Sequence, residues 1–316
     1  MRRSTMGLWL LKAFLILSFL AFGPPEGRTQ SPLRRDPEKV LGFANDLLSQ
    51  ADAYRASSEY QAFLFLFPRH PRVSEAWYYL GKSYQAQRKW DEALEAFREV
   101  TNEEFIETPW AQEAALEIGE TLMMAGRPDS AARSLAEAAR IPSWRPIHGK
   151  ARCLAAWAWM NDGQYDHALQ VLKEIPRGDV LHMTSKRLSD EIMDGLSALP
   201  RRSPWIAGGL AATLPGSGHL YVGQPKEALT SFVLNGAFIV GAIWALKEGY
   251  PITGGILSFF ELSWYFGGIS SAAKGARQFN HDRERRWLTE MGTRWGFPLE
   301  ALPTRQVNSV KFSLRF

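Results

Sequence analysis

The chain has 316 residues, 37 Lys and Arg against 33 Asp and Glu, a formal charge of +4 and a single cysteine. That length suits two ordinary domains, and the mild charge of mixed sign excludes a nucleic-acid footprint. Cys153 alone excludes an intrachain disulfide and, being far from the start, an N-terminal lipid-anchored cysteine.

Residues 1–30 read as a signal peptide or N-terminal anchor. Arg2 and Arg3 precede an apolar run over residues 8–22 that only Lys12 interrupts, the layout of an export signal. Pro24 and Pro25 stand just after the small-residue cleavage region, so an uncleaved anchor is the alternative.

Residues 37–199 read as about four helical repeats plus a capping helix. Ala56, Ala93, Ala131 and Ala168 recur at steps of 37, 38 and 37 residues, each followed four positions later by Tyr60, Phe97, Leu135 and Leu172. The clearest copy is EAWYYLGKSYQAQRKWDEALEAF, with Trp77, Leu80, Gly81, Tyr84, Trp90, Ala93 and Phe97 alternating large and small positions. The third copy keeps Ile118, Gly119, Leu122, Gly126, Ala131 and Leu135; the fourth keeps Ala156, Trp159, Gly163, Tyr165, Ala168 and Leu172; the first is degenerate. This pattern resembles the tetratricopeptide repeat family, in steps three or four residues longer than usual, as in envelope proteins such as the Bam assembly lipoprotein. The resemblance implies hairpins that bury their apolar faces only when stacked, and a groove for a protein or peptide. Trp77, Tyr78, Trp90, Trp157, Trp159 and Tyr165 are expected to pack in the repeat core. YQAFLFLFP places Phe63, Leu64, Phe65, Leu66 and Phe67 on every helix face, more than one neighbour can bury, so either the N-terminal segment or a partner is expected there. Leu181, Leu188, Ile192 and Leu196 mark one face of the capping helix.

Residues 203–280 read as a membrane domain of one short re-entrant helix and two spans. Residues 228–246 carry no charge, and residues 250–273 carry only Glu261. Between them and the repeats lies LPGSGHLYVGQPKEAL. Pro215, Gly216, Gly218, His219, Tyr221 and Gly223 resemble the Pro-Gly-x-Gly-x-x-Tyr-x-Gly turn of small bacterial membrane domains, a motif that implies a membrane-entry turn and no particular activity. The glycines permit positive φ and close approach, and His219 and Tyr221 suit an interfacial depth. Asn235 and Glu261 are the intramembrane polar residues: Glu261 is expected to bond Asn235 or His219 as a packing clamp, with proton relay or transport as the alternative.

Residues 281–316 read as a basic tail with a strand-like end, Val310, Phe312, Leu314 and Phe316 alternating as in a single edge strand. The basic residues after the second span pull the tail towards the cytoplasm, while the N-terminal segment sends the repeats to the periplasm. The expectation is a periplasmic repeat region on the bacterial inner membrane, reconciled with the tail by an odd number of spans or by an atypical hairpin.

No catalytic constellation is found. The six histidines show no paired metal spacing, and neither a phosphate loop nor a nucleophile elbow occurs. Cofactor, metal and nucleic-acid binding are not expected. The fold class is all-α, a tetratricopeptide-like α-solenoid followed by a helical membrane hairpin, and the function is that of a non-enzymatic envelope scaffold. A regulated transporter or channel component and an outer-membrane assembly or secretion accessory factor are the alternatives.

Overall fold

A computed structural model describes residues 36–297. The described residues contain helices and no strand, and the chain divides into two compact units, Met1–Val100 and Thr101–Phe316. The N-terminal segment of residues 1–30 and the strand-like end of residues 310–316 lie outside the described residues.

In the first unit, α1 (Pro37–Ser49) and α2 (Ala53–Leu66) form one hairpin, and α3 (Val73–Ala86) and α4 (Trp90–Val100) form the next. Asp36 caps α1 by accepting from the Glu38 N–H at 3.0 Å, and Asp52 caps α2 by accepting from the Arg55 N–H at 3.2 Å. The degenerate first copy is a formed hairpin: Leu41, Ala44, Ala56 and Tyr60 are buried, and the Tyr60 hydroxyl donates to Asn45 Oδ1 at 2.6 Å. Arg72 ties the two hairpins, donating to Glu75 on α3 and to Glu38 on α1.

The second unit continues with α5 (Pro109–Met124) and α6 (Pro128–Ala138), then α7 (His148–Asn161) and α8 (Tyr165–Lys173), and the capping helix α9 (His182–Ala198). The extra length of the IPSWRPIHG connection is used for packing. Residues Pro142–Ile147 form a 3-10 turn whose Trp144 is buried and donates from Nε1 to the Ile106 carbonyl at 2.9 Å. Within each hairpin the chain reverses through a residue of positive φ: Ala51 (62°), Arg88 (58°), Gly126 (74°) and Gly163 (75°). These turn residues repeat at the same 37, 38 and 37 residue steps as the core alanines, so the period is a backbone period as well as an apolar one.

After α9 come α10 (Pro204–Thr213), the single turn α11 (Ser217–Tyr221), α12 (Pro225–Lys247) and α13 (Pro251–Trp295). The last is 45 residues long, which at 1.5 Å per residue is about 68 Å. It runs on past residue 280 without a break. Residues 276–291 contain neither glycine nor proline, so nothing stops the helix where the charge begins, and it runs through the basic stretch to Gly296, whose φ of 68° ends it.

Candidate functional site

The repeat-core residues meet as close pairs. A Cβ on Gly81 would stand 2.6 Å from the Phe97 ring, and one on Gly119 would stand 2.4 Å from Leu135. The equivalent positions in the first and fourth copies, Ala44 and Ala156, carry a methyl opposite Tyr60 and Leu172, and all four of those residues are buried. Leu80, Ala93, Ala131 and Ala168 are likewise buried, while Trp77 and Tyr84 are half-buried. The aromatic residues thus serve packing for the most part, Tyr60 stacking on Tyr79 at 6.1 Å. Phe63 is fully buried, yet Phe65 of the same helix is 85% exposed. Cys153 on α7 is buried, and burial first, with Asp179 second, pushes its thiol up to about 12.

The C-terminal part of α13 lies against the last repeat and the capping helix. Glu284 accepts a hydrogen bond from the Tyr165 hydroxyl, and burial together with this carboxylate raises the Tyr165 pKa. Trp287 packs 6.0 Å from the Tyr165 ring and over Gly195 of α9, where a Cβ would sit 2.4 Å from its Nε1. Trp295 donates to Glu191 at 2.8 Å, Arg294 pairs with the same carboxylate, and Phe297 stacks on Trp157 at 4.9 Å with the rings 8° from parallel. No sequence signal named these partners, although Trp287, Leu288, Met291 and Trp295 form a helical stripe.

The other half of α13 packs with α10, α11 and α12. Asn280 fixes the start of α10 through two bonds, accepting from the Arg202 N–H at 2.7 Å and donating to the Arg202 carbonyl at 2.9 Å. Helix α10 then runs antiparallel to α13, with Gly208 beside Ile269 and Ala273, and Tyr265 donating to the Ala212 carbonyl at 2.6 Å. Gly216, at φ 90°, reverses the chain so closely to α12 that a Cβ would be 2.3 Å from the Ala228 carbonyl oxygen. Gly218 passes the Ala207 carbonyl on the way back, where a Cβ would be 2.2 Å away. Both therefore need glycine, one for its backbone sign and both for space. Tyr221 returns to the level of Ser203, whose N–H donates to its hydroxyl at 3.2 Å.

The expected pairing of the polar residues changes here. His219 is buried at 4% exposure, with Nε2 3.3 Å from Ser271 Oγ. Asn235 donates to its own helix, to the Ser231 carbonyl at 2.5 Å, because that carbonyl lies one turn back and within reach. Glu261 bonds neither Asn235 nor His219, and both its carboxyl oxygens are covered without a partner. The proposed clamp is therefore absent. A cavity of about 520 Å³ opens beside these helices, lined by His219, Lys226, Ser231, Ser263, Gly267 and Ser271 among others.

Helix α12 is the one described helix long and apolar enough to cross a membrane by length and composition. Its exposed apolar residues run from Leu229 to Leu246, about 26 Å along the axis. On α13 the exposed residues Ile252, Ile256, Phe259, Phe260, Leu262, Trp264 and Phe266 continue that surface.

Compared with known families, residues 41–104, 80–144 and 116–179 match a tetratricopeptide repeat model. The matched helical hairpins are similar to tetratricopeptide repeats. No curated protein matches the chain. Tetratricopeptide repeats in general mediate protein–protein contacts, and the matched residues fall in both units. Residues 203–297 lie outside the matched repeats, so neither the Pro-Gly-x-Gly turn nor α13 is part of them. Among the described residues no cluster of three or more His, Cys, Asp or Glu could hold a metal ion.

Proposed function

We propose that this chain is a membrane-anchored tetratricopeptide scaffold of the bacterial cell envelope, non-enzymatic, holding a protein or peptide partner on its repeats. The observation that carries this reading is α13 itself. One uninterrupted helix pairs with the apolar α12 at its start and clamps the last repeat at its end. A hairpin of α12 and the first half of α13 anchors the chain, with α10 and α11 entering to half depth and returning. The ten residues of α10 span about 15 Å, half the hydrocarbon thickness.

This arrangement constrains topology. Residues 284–297 touch the last repeat and Asn280 holds Arg202, so both flanks of the hairpin lie on one side of the membrane, which argues against the odd number of spans considered from sequence. The N-terminal export pattern favours the periplasm for that side, making the hairpin an exception to the positive-inside rule.

Cysteine accessibility in the full-length protein tests it. With Cys153 replaced by alanine, single cysteines at Asp166, Gln278 and Glu248 are probed from outside the inner membrane. Labelling at 166 and 278 with protection at 248 is expected. Labelling at 166 without 278 would overturn the shared side, and protection at both would move the repeats to the cytoplasm. The transporter reading draws on the unpartnered Glu261 oxygens and on the cavity beside His219 and Ser271. It requires that Glu261→Gln abolish a solute flux, whereas the scaffold retains its partner.

A further inference from the structure

We propose that Arg202 and Arg283 form a binding site for the phosphate headgroup of an anionic phospholipid. This rests on the membrane reading of α12 and α13. The Arg202 guanidinium carbon lies 4.9 Å from the Tyr221 ring centroid and 5.5 Å from that of Phe279, and the Arg283 carbon lies 5.4 Å from the same Phe279 centroid. Two like charges are thus gathered around one ring. Aromatic faces offset part of the cost of a guanidinium but cannot neutralise it, and they leave its in-plane N–H groups free.

The nearby acids accept from neutral donors and make no ion pair with these arginines. Glu284 accepts from Tyr165, and Asp282 accepts from Gln278 Nε2 at 2.8 Å. Among the described residues, neither Arg202 nor Arg283 forms an ion pair, and neither Lys274 nor Arg277 does. The two guanidiniums gathered on Phe279 thus have no ion pair of their own, and their forked donors suit a phosphate better than a lone ammonium does.

Position selects the lipid as the source. Arg202 stands three residues before Trp205, just outside the start of α10; Trp205 is 90% exposed and followed by the exposed Ile206. A fully exposed tryptophan beside an apolar band marks the membrane–water interface. The cations therefore sit where headgroups lie, and Asn280 holds the Arg202 backbone in place there. A cavity of about 310 Å³ opens alongside, lined by Leu199, Arg201, Asn280 and Arg283 among others.

The test uses the full-length protein in nanodiscs of phosphatidylcholine, alone or with phosphatidylglycerol, reading bound anionic lipid by native mass spectrometry. Near an anionic surface each cation is worth about fivefold in affinity, so the Arg202→Gln/Arg283→Gln pair is expected to retain phosphatidylglycerol roughly 25-fold less well than the parent. Unchanged retention overturns the proposal. So does protection of the parent from lipid exchange by inorganic phosphate, which would make this a free-anion site. If the glutamine pair does not assemble, the single variants Arg202→Gln and Arg283→Gln are each expected to lose about fivefold, and retention equal to the parent's in both then overturns it. A protein that stays in solution without detergent or nanodisc would sink the membrane reading itself. Incorporation without lipid preference would sink only this site.

Discussion

At single positions the repeats differ in how well they satisfy one shared backbone. Ala51 and Arg88 hold left-handed turn conformations that Gly126 and Gly163 hold in the later copies. A side chain there costs about 1 kcal/mol relative to glycine, less the extra freedom glycine brings to the unfolded chain. Arg88→Gly is accordingly expected to raise the thermal midpoint of the full-length protein slightly. The same change at an exposed helical site such as Glu95 should lower it. Gly119 has the opposite constraint: Gly119→Val would push into Leu135 and is expected to destabilise by about 1–3 kcal/mol in denaturant titration. Cys153 and Tyr165 add a pH dependence. The folded state raises the pKa of both, the thiol to about 12, so folding favours their neutral forms. Their contribution is fully present below the unfolded pKa values and declines above them. Beyond roughly pH 9 the thiol alone costs up to about 1.4 kcal/mol per pH unit. Maleimide labelling of Cys153 at pH 8 should therefore track unfolding, and rapid labelling of the native protein would contradict the buried position.

Among the elements, α13 carries the most consequence. Trp287→Ala removes the ring that fills the space over Gly195 and beside Tyr165. A loss of about 3 kcal/mol is expected, read as faster amide exchange over residues 284–297 with the hairpin of α12 unaffected. Exchange unchanged over that stretch would mean the clamp is incidental. The hairpins were legible in advance because each repeat needs the same small residue opposite the same large one, which writes a period into the chain. The clamp was not. Lys274, Arg277, Arg283, Arg285 and Arg286 read as a solvated tail, and the apolar stripe from Trp287 to Trp295 is short enough to be outvoted by them. The absence of glycine and proline from residues 276–291 was the available signal for a continuous helix. The Pro-Gly-x-Gly turn was legible as a turn. The burial of His219 was not, because it depends on Ser271, which lies 52 residues away in sequence.

For the whole molecule, the continuity of α13 makes the proposed anchor and the repeat end a single mechanical piece. A partner's pull on the last repeat would reach the hairpin through Glu284, Trp287, Trp295 and Phe297 and not through a loose linker. Breaking the helix tests this. His281 is exposed and lies between the anchor and the clamp, so His281→Pro removes a backbone donor and clashes with the Arg277 carbonyl, at about 3 kcal/mol or more. Membrane association should persist, because α12 and the first half of α13 are untouched. Trypsin should then cut at Arg283, Arg285 and Arg286, which the intact helix protects, and thermal unfolding should separate into two steps. Equal resistance to trypsin in the variant and the parent would show that the clamp holds without the continuous helix, leaving the side-chain contacts to account for the coupling alone.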